Sequence, residues 1–339
     1  LLAGCNEATT ATRAELKVSG PTMGTHYAVK VVGDYPGGEP QLQHDVEQIL
    51  QRIDHQLSTY KPDSELSRFN QHKATTPVTI SQDLADVLIE GLRVGKMTGG
   101  AMDITVGPLV NLWGFGPDKR PTKIPSDAEI AAARAKTGLD KLHVEIGSET
   151  ATVRKDIPDL YVDLSTLGEG FAADKIADLL DGRGIKNYMV EIGGEVMAKG
   201  VNPKGECWRI GINKPTDDPA GLNQELEEIA HLCGKVGLAT SGNYRNFYEK
   251  GGKKYGHTIN PITGYPAEQD ILSATIIAPD CTTADGYATS FMALGSEKAR
   301  ELKKRVPEIE YFIIYTDSVG NYKTEHSEGF TQYLANKGR

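Results

Sequence analysis

Long hydrophobic runs are missing from this chain of 339 residues. Beyond the first few residues, no apolar stretch approaches the roughly 20 residues that a helix needs to cross a bilayer, so any membrane attachment would have to come from a lipid. Basic excess is missing as well. A formal charge of −9 gives no general attraction for phosphate backbones and argues against a nucleic-acid partner. Cysteine is scarce, four residues with neither a CxxC pair nor Cys/His ligand spacing, which speaks against a zinc site. The glycine-rich turns match neither GxGxxG nor a Walker loop. No linker or low-complexity segment interrupts the chain after residue 20, so residues 20–339 read as one domain.

The first residues, Leu1-Leu2-Ala3-Gly4-Cys5, read as the end of a lipoprotein signal, with small residues set just before a cysteine. Cleavage before Cys5 and acylation of that cysteine are expected, which leaves residues 6–19 as a tether. Cys207, Cys233 and Cys281 leave room for one disulfide and one thiol in an oxidising compartment. A domain of this length needs no staple, so the expectation is three buried thiols.

Periodicity supplies the elements. Thr25–Val32 alternates as a strand, while Val46, Ile49, Leu50, Ile53 and Leu57 recur at helical spacing. Further helices are expected at Ser81–Met97, at Ser126–Thr137 behind a capping box with Glu129, and at Gly168–Leu180, Thr282–Leu294 and Glu297–Lys304. Strands are expected within Leu142–Asp163 and at Tyr188–Ile192, Trp208–Ile212, Leu226–Ala230, Val236–Thr240, Ile271–Ile277 and Tyr311–Tyr315. Strands cluster in the second half instead of alternating with helices. The pattern predicts an α+β fold with largely antiparallel sheets flanked by helices.

Within Cys281-Thr-Thr-Ala-Asp-Gly-Tyr-Ala-Thr-Ser290, Asp285 and Thr289 stand four residues apart and share one helical face. A carboxylate and a hydroxyl presented together suit a hard cation such as Mg²⁺, which keeps one or two carboxylates and completes its shell with phosphate oxygens. The same residues also read as an ordinary helix start, with Thr282 or Thr283 as cap and Asp285 favouring the macrodipole. A second segment, Tyr161–Asp174, passes from an expected strand ending at Asp163, through Gly168 and Gly170, into a helix. Such a junction offers free amides to an anion, or a plain turn capped by Ser165 or Thr166. Glu191-Ile-Gly-Gly-Glu195, Ala239–Asn246 and His257–Gly264 add turns that could be structural or functional.

Taken together, these segments resemble the ApbE family of FAD:protein FMN transferases. The motifs TMGT, STYKPDSELSRFN, GGAMDITVGPLVNLWGFGP, VDLSTLGEGFAADKIA, GGE, TSGNYRNFY, HTINPITGYP and ADGYATSFMALG occur in the family's order over nearly the whole chain. The resemblance implies that FAD is held by Met23, Tyr60, Ala101, Met102, Asp103, Asp163, Glu169 and Ile259, and that Mg²⁺ is bound by Thr166, Asp285 and Thr289. It implies a lipid-anchored location on the periplasmic side of a bacterial membrane, the inner membrane being expected. Two positions depart from common family wording: Glu169 replaces a lysine, and Ala288 stands where some relatives carry an aspartate, leaving one metal contact to water.

The implied reaction moves the FMN half of FAD onto a threonine hydroxyl of an acceptor flavoprotein and releases AMP. His257 is the first candidate for the general base and Asp285 the second. The implied acceptors are extracytoplasmic domains of membrane redox complexes such as the sodium-pumping NADH:quinone reductase, so the site is expected in an open cleft. FAD pyrophosphatase and a non-catalytic periplasmic flavin-binding lipoprotein are the alternatives.

Overall fold

The computed structural model describes residues 13–116, 124–148, 150–215, 225–242, 247–250, 253–256 and 258–334. Its frame is an eight-stranded sheet with the order Glu15–Thr22, Thr25–Val32, Tyr188–Ile192, Glu195–Lys199, Val236–Gly242, Ile271–Ala278, Glu310–Thr316 and Tyr322–His326. Every pairing in it is antiparallel. The expected α+β class with antiparallel sheets is therefore what the chain adopts. Smaller sheets of two or three strands complete the architecture.

The sheet is apolar on both faces because alternate residues feed two cores. One face, through Val29, Val190, Met197, Ala239 and Ala274, packs on the helices Gly38–Leu57, Gln82–Met97, Gly168–Gly182 and Cys281–Leu294. The other, through Met189, Val196, Leu238 and Ile277, packs on the hairpin Trp208–Asn213/Leu226–Leu232 and on Phe330. The helix Cys281–Leu294 is buried on all sides except at Thr289 and Leu294, which only a small-residue surface such as Ala284, Gly286, Ala288 and Ala293 permits at this packing distance.

Local signals hold where caps carry them. Ser81 accepts from the Leu84 amide ahead of Gln82–Met97, and Ser126 with Glu129 forms the full capping box ahead of Asp127–Arg134. Three expectations are corrected. The sheet begins at Glu15, so Glu15–Ser19 pairs with the following strand and is no tether. Tyr161–Leu164 is extended but not a strand, since the Asp163 amide bonds the Ile104 carbonyl of a loop. Cys207 and Cys233 form a disulfide, and only Cys281 is a buried thiol among the described residues. Cys207 and Cys233 lie just beyond the paired Trp208 and Leu232, and this facing position is what tertiary pairing supplied and spacing could not. Among the described residues no helix is long and apolar enough to cross a membrane. The call on Cys5 lies outside the described residues.

The bridge closes a loop across 26 positions of sequence. Replacing both cysteines by alanine is expected to lower stability by about 2–4 kcal/mol. Urea denaturation of the oxidised protein and the double variant checks this.

Candidate active site

A cleft of about 1890 Å³ wraps round one end of the main sheet, from its helix-covered face to the hairpin side. Small-molecule pockets usually enclose roughly 300–1,000 Å³, so there is room for a dinucleotide and for part of a second molecule. Ala101, Met102, Asp103, Asp163, Thr166, Glu169, Ile259, Asp285 and Thr289 all line this cleft. Those nine were separated in sequence by up to 188 positions, and the sheet gathers them.

Met23 and Tyr60 are not part of the wall. Met23 sits beside the cleft-lining Gly24 and Thr25 with an unusual positive φ of 47°, half-buried against the main core. Tyr60 stands at the rim, 66% exposed, yet near enough to Asp163 that burial and this carboxylate raise its phenol. An exposed aromatic beside the cleft is placed to stack on a flat ring. His257, Tyr244 and Arg245 fall outside the described residues.

Two helix beginnings meet at the centre. Asp280 caps Cys281–Leu294 by accepting from the Thr283 amide at 2.7 Å, so neither threonine takes the capping role. Asp174, from the neighbouring helix, accepts from the amides of Cys281 and Thr282, each at 2.8 Å, and from the Thr282 hydroxyl. Free amides and the positive helix end favour these carboxylates. Burial nevertheless pushes Asp174 up to about 7, with Asp280 adding to it. Gly170 lets the helices touch: a Cβ there would lie 2.6 Å from the Cys281 carbonyl oxygen and 3.1 Å from the Asp285 Cβ. Its amide donates to Asp285 Oδ2 at 3.3 Å. The helix Gly168–Gly182 has no side-chain cap, so Ser165 and Thr166 are not spent on capping; the Ser165 amide bonds Asp163 Oδ1 instead.

Asp285 is thus fixed beside Glu169 and Glu195. Burial, then Glu169 and Asp174, raises the Asp285 carboxyl well above its ordinary range. Burial followed by Asp285 and Glu169 does the same to Glu195, and burial raises Glu169. Among the described residues, no lysine or arginine is one of the main influences on these three. Glu195 Oε2 is buried without an N–H or hydroxyl donor, and the Glu195 and Glu169 carboxyls lie within hydrogen-bonding reach of each other. An orphaned oxygen and crowded carboxylates, with Thr166 and Thr289 offering further oxygens, form an environment suited to a hard cation. The described residues hold no cluster of three His, Cys, Asp or Glu in metal-ligand geometry, which leaves hydroxyls and one carboxylate as the protein's share. Thr289 Oγ1 also lies 3.2 Å from Ser241 Oγ.

The loop Ala101–Thr105 builds the opposite wall. Asp103 Oδ1 accepts from the Thr105 amide and hydroxyl at 2.7 and 2.6 Å, and burial raises the Asp103 carboxyl. Ala101 and Met102 are buried, and Ile259 packs with Leu109, Trp113 and Ile130. Glu195 and Ser241 belong to the site although sequence reasoning assigned them no role. The GGE signal was legible; its meaning required knowing that Gly193 has φ +66° and that a Cβ there would lie 2.7 Å from the Glu169 carboxylate.

The ApbE family model matches residues 23–313. The chain is 45% identical to the FAD:protein FMN transferase of Salmonella typhimurium, covering 98% of this chain and 94% of that protein. It is 43% identical to the FAD:protein FMN transferase of Vibrio cholerae serotype O1, covering 99% and 96%. Among solved structures, the flavin transferase ApbE of Vibrio cholerae superposes with a TM-score of 0.84 at 42% identity, over 95% of this chain and 100% of that one. The apo flavinyl transferase ApbE of Pseudomonas stutzeri gives 0.83 at 36%, over 95% and 97%.

Because the buried carboxyls titrate higher in the folded than in the unfolded chain, the folded protein holds the extra protons above about pH 4, and this contribution to stability falls as pH rises through the folded values. Glu195→Gln removes one such group. In FAD-free protein with EDTA, the variant is expected to melt about 3 °C or more above the parent at pH 8 and to lose that advantage near pH 4.5. Gly170→Ala is expected to lower stability by about 1–3 kcal/mol and to weaken FAD binding about tenfold, since the added methyl would lie 2.6 Å from the Cys281 carbonyl oxygen and must shift the start of that helix, which carries Asp285; thermal melting and flavin fluorescence titration read this.

Proposed function

Since the chain belongs to the ApbE family, we propose that it is an FAD:protein FMN transferase, acting on a threonine of an acceptor flavoprotein. The observation that carries this reading is one cleft whose lining includes Asp285, Thr289 and Thr166 together with Ala101–Asp103, Asp163, Glu169 and Ile259. FAD binds along that lining, with Met23 and Tyr60 at its rim. Asp285, Thr166 and Thr289 would hold Mg²⁺, which supplies neutralising charge to the pyrophosphate when bound. Ala288 is buried and offers no side-chain ligand beside them.

In the reaction the threonine Oγ attacks the flavin-side phosphorus, the bond to the AMP phosphate breaks, and FMN remains on threonine through a phosphoester. The hydroxyl proton passes to a base, with His257 first and Asp285 second in candidacy. The raised carboxyl of Asp285 is compatible with proton capture, but as a metal ligand it is committed elsewhere. Acceptors of the sodium-pumping NADH:quinone reductase type fit a cleft with room for a polypeptide. A periplasmic location is supported by the Cys207–Cys233 disulfide, because such bridges persist in oxidising compartments, and a lipid on Cys5 rests on the Leu1–Cys5 sequence alone.

Intact-mass measurement of an acceptor domain incubated with the protein, FAD and Mg²⁺ is expected to show a gain of one FMN, abolished by EDTA and reduced roughly 100-fold or more by Asp285→Ala. His257→Ala should slow transfer while FAD still binds. Release of AMP and free FMN from FAD with no labelling of any acceptor would point to a pyrophosphatase instead, and an unchanged FAD pool to a binding protein.

A further inference from the structure

The hairpin beside the cleft has one edge covered and one open. Leu226–Leu232 is bridged on its outer side by Leu334, through Ala230. Trp208–Asn213 pairs only with Leu226–Leu232 among the described residues. Along that strand the side chains alternate, Trp208 and Ile212 buried against the sheet and Arg209 and Gly211 exposed. Yet Trp208, Arg209, Ile210, Gly211 and Asn213 all line the cleft. A cavity that borders residues of both faces is what a cleft running along the strand's edge would show, and that edge is where unpaired N–H and C=O groups point.

The edge is held firmly. The disulfide Cys207–Cys233 closes its root, the Trp208 indole donates to the Lys199 carbonyl at 3.0 Å, and the Gly200 amide donates to the Gly234 carbonyl at 3.1 Å. It therefore keeps its position against the strand Glu195–Lys199, which begins at Glu195 in the acid cluster. A pre-set edge accepts an added strand at a lower ordering cost than a loose one.

We propose that the open edge of Trp208–Asn213 is the docking rail for the acceptor protein, whose threonine-bearing segment adds to it as an extended strand. The inference rests on the transferase reading and names how its second substrate is held. The same cleft joins the edge to Asp285 and Thr289, so a strand lying there leads toward the reacting phosphorus. Charge in this arm is nearly balanced: Arg13, Lys30, Lys204 and Arg209 face Glu15, Glu191 and Glu206. Recognition by main-chain hydrogen bonds suits such a wall and admits varied acceptors, with side-chain pockets adding selectivity.

Two measurements test this with an acceptor domain that the protein labels. Hydrogen–deuterium exchange of residues 208–213 is followed with acceptor alone, and with acceptor, FAD and EDTA; it is expected to slow about tenfold in at least one case. Gly211→Pro, which changes the strand where Gly211 pairs with Ile229 and sets a Cβ against Leu226, is expected to lower kcat/KM for the acceptor about tenfold while FAD affinity stays near that of the parent, with far-UV circular dichroism checking the fold. Unchanged exchange in both mixtures overturns the proposal even if Gly211→Pro fails to fold. Protection that is already present in the free protein and disappears on dilution would assign the edge to a second copy of this chain, and would also overturn it. Failure of the unaltered protein to label any acceptor counts against the transferase reading itself.

Discussion

The grip of Asp174 and Asp280 on the first amides of Cys281–Leu294 is the interaction on which the site depends. The two carboxylates take three amides and a hydroxyl at the positive end of a helix that is otherwise sunk in the core. Each hydrogen bond contributes about 0.5–1.5 kcal/mol net, and four at one helix start also set the helix along its axis. Gly170 allows the neighbouring helix to close on that point, and Gly237 does the same from the sheet, where a Cβ would lie 2.4 Å from the Cys281 nitrogen. With the helix start fixed from three sides, Asp285 and Thr289 have one place to be.

That placement has an electrostatic cost. Asp285, Glu169 and Glu195 share a buried corner without a basic partner among the described residues; burial raises all three carboxyls, and charge repulsion adds to it at Asp285 and Glu195. In a protein selected for stability alone, one of them would be neutral. For the proposed transferase, a divalent cation held against an anionic pyrophosphate would call for the opposite: excess negative charge that the cation relieves. Glu169 belongs to this corner, and Glu195 Oε2 is buried there without an N–H or hydroxyl donor.

The sheet has two apolar faces but only one is covered by helices. The other is covered by a short hairpin fastened by a disulfide, which leaves a large cleft that turns around the sheet's end between the two coverings. A small molecule would need only the helix-side lobe. The hairpin-side lobe, floored by Met189, Val196 and Leu238, gives a polypeptide access to the same centre.

Local order was legible from residue pattern: the strand Thr25–Val32, the helix Gly168–Gly182, the capping box at Ser126 and the shared face of Asp285 and Thr289 all rest on interactions within a few residues. Motif order was enough to indicate the family, because eight segments in one fixed order do not align by accident. What sequence could not carry was everything that depends on partners far along the chain. The capping of one helix by Asp174, 107 positions away, the pairing of Cys207 with Cys233, the start of the sheet at Glu15 and the entry of Glu195 into the acid cluster are such cases. By itself the sequence determined the elements and the chemistry they carry, since periodicity and side-chain type are local. Only the tertiary structure decided which carboxylates share a low-dielectric corner and which strand edge stays open, because burial and pairing are properties of the assembled sheet.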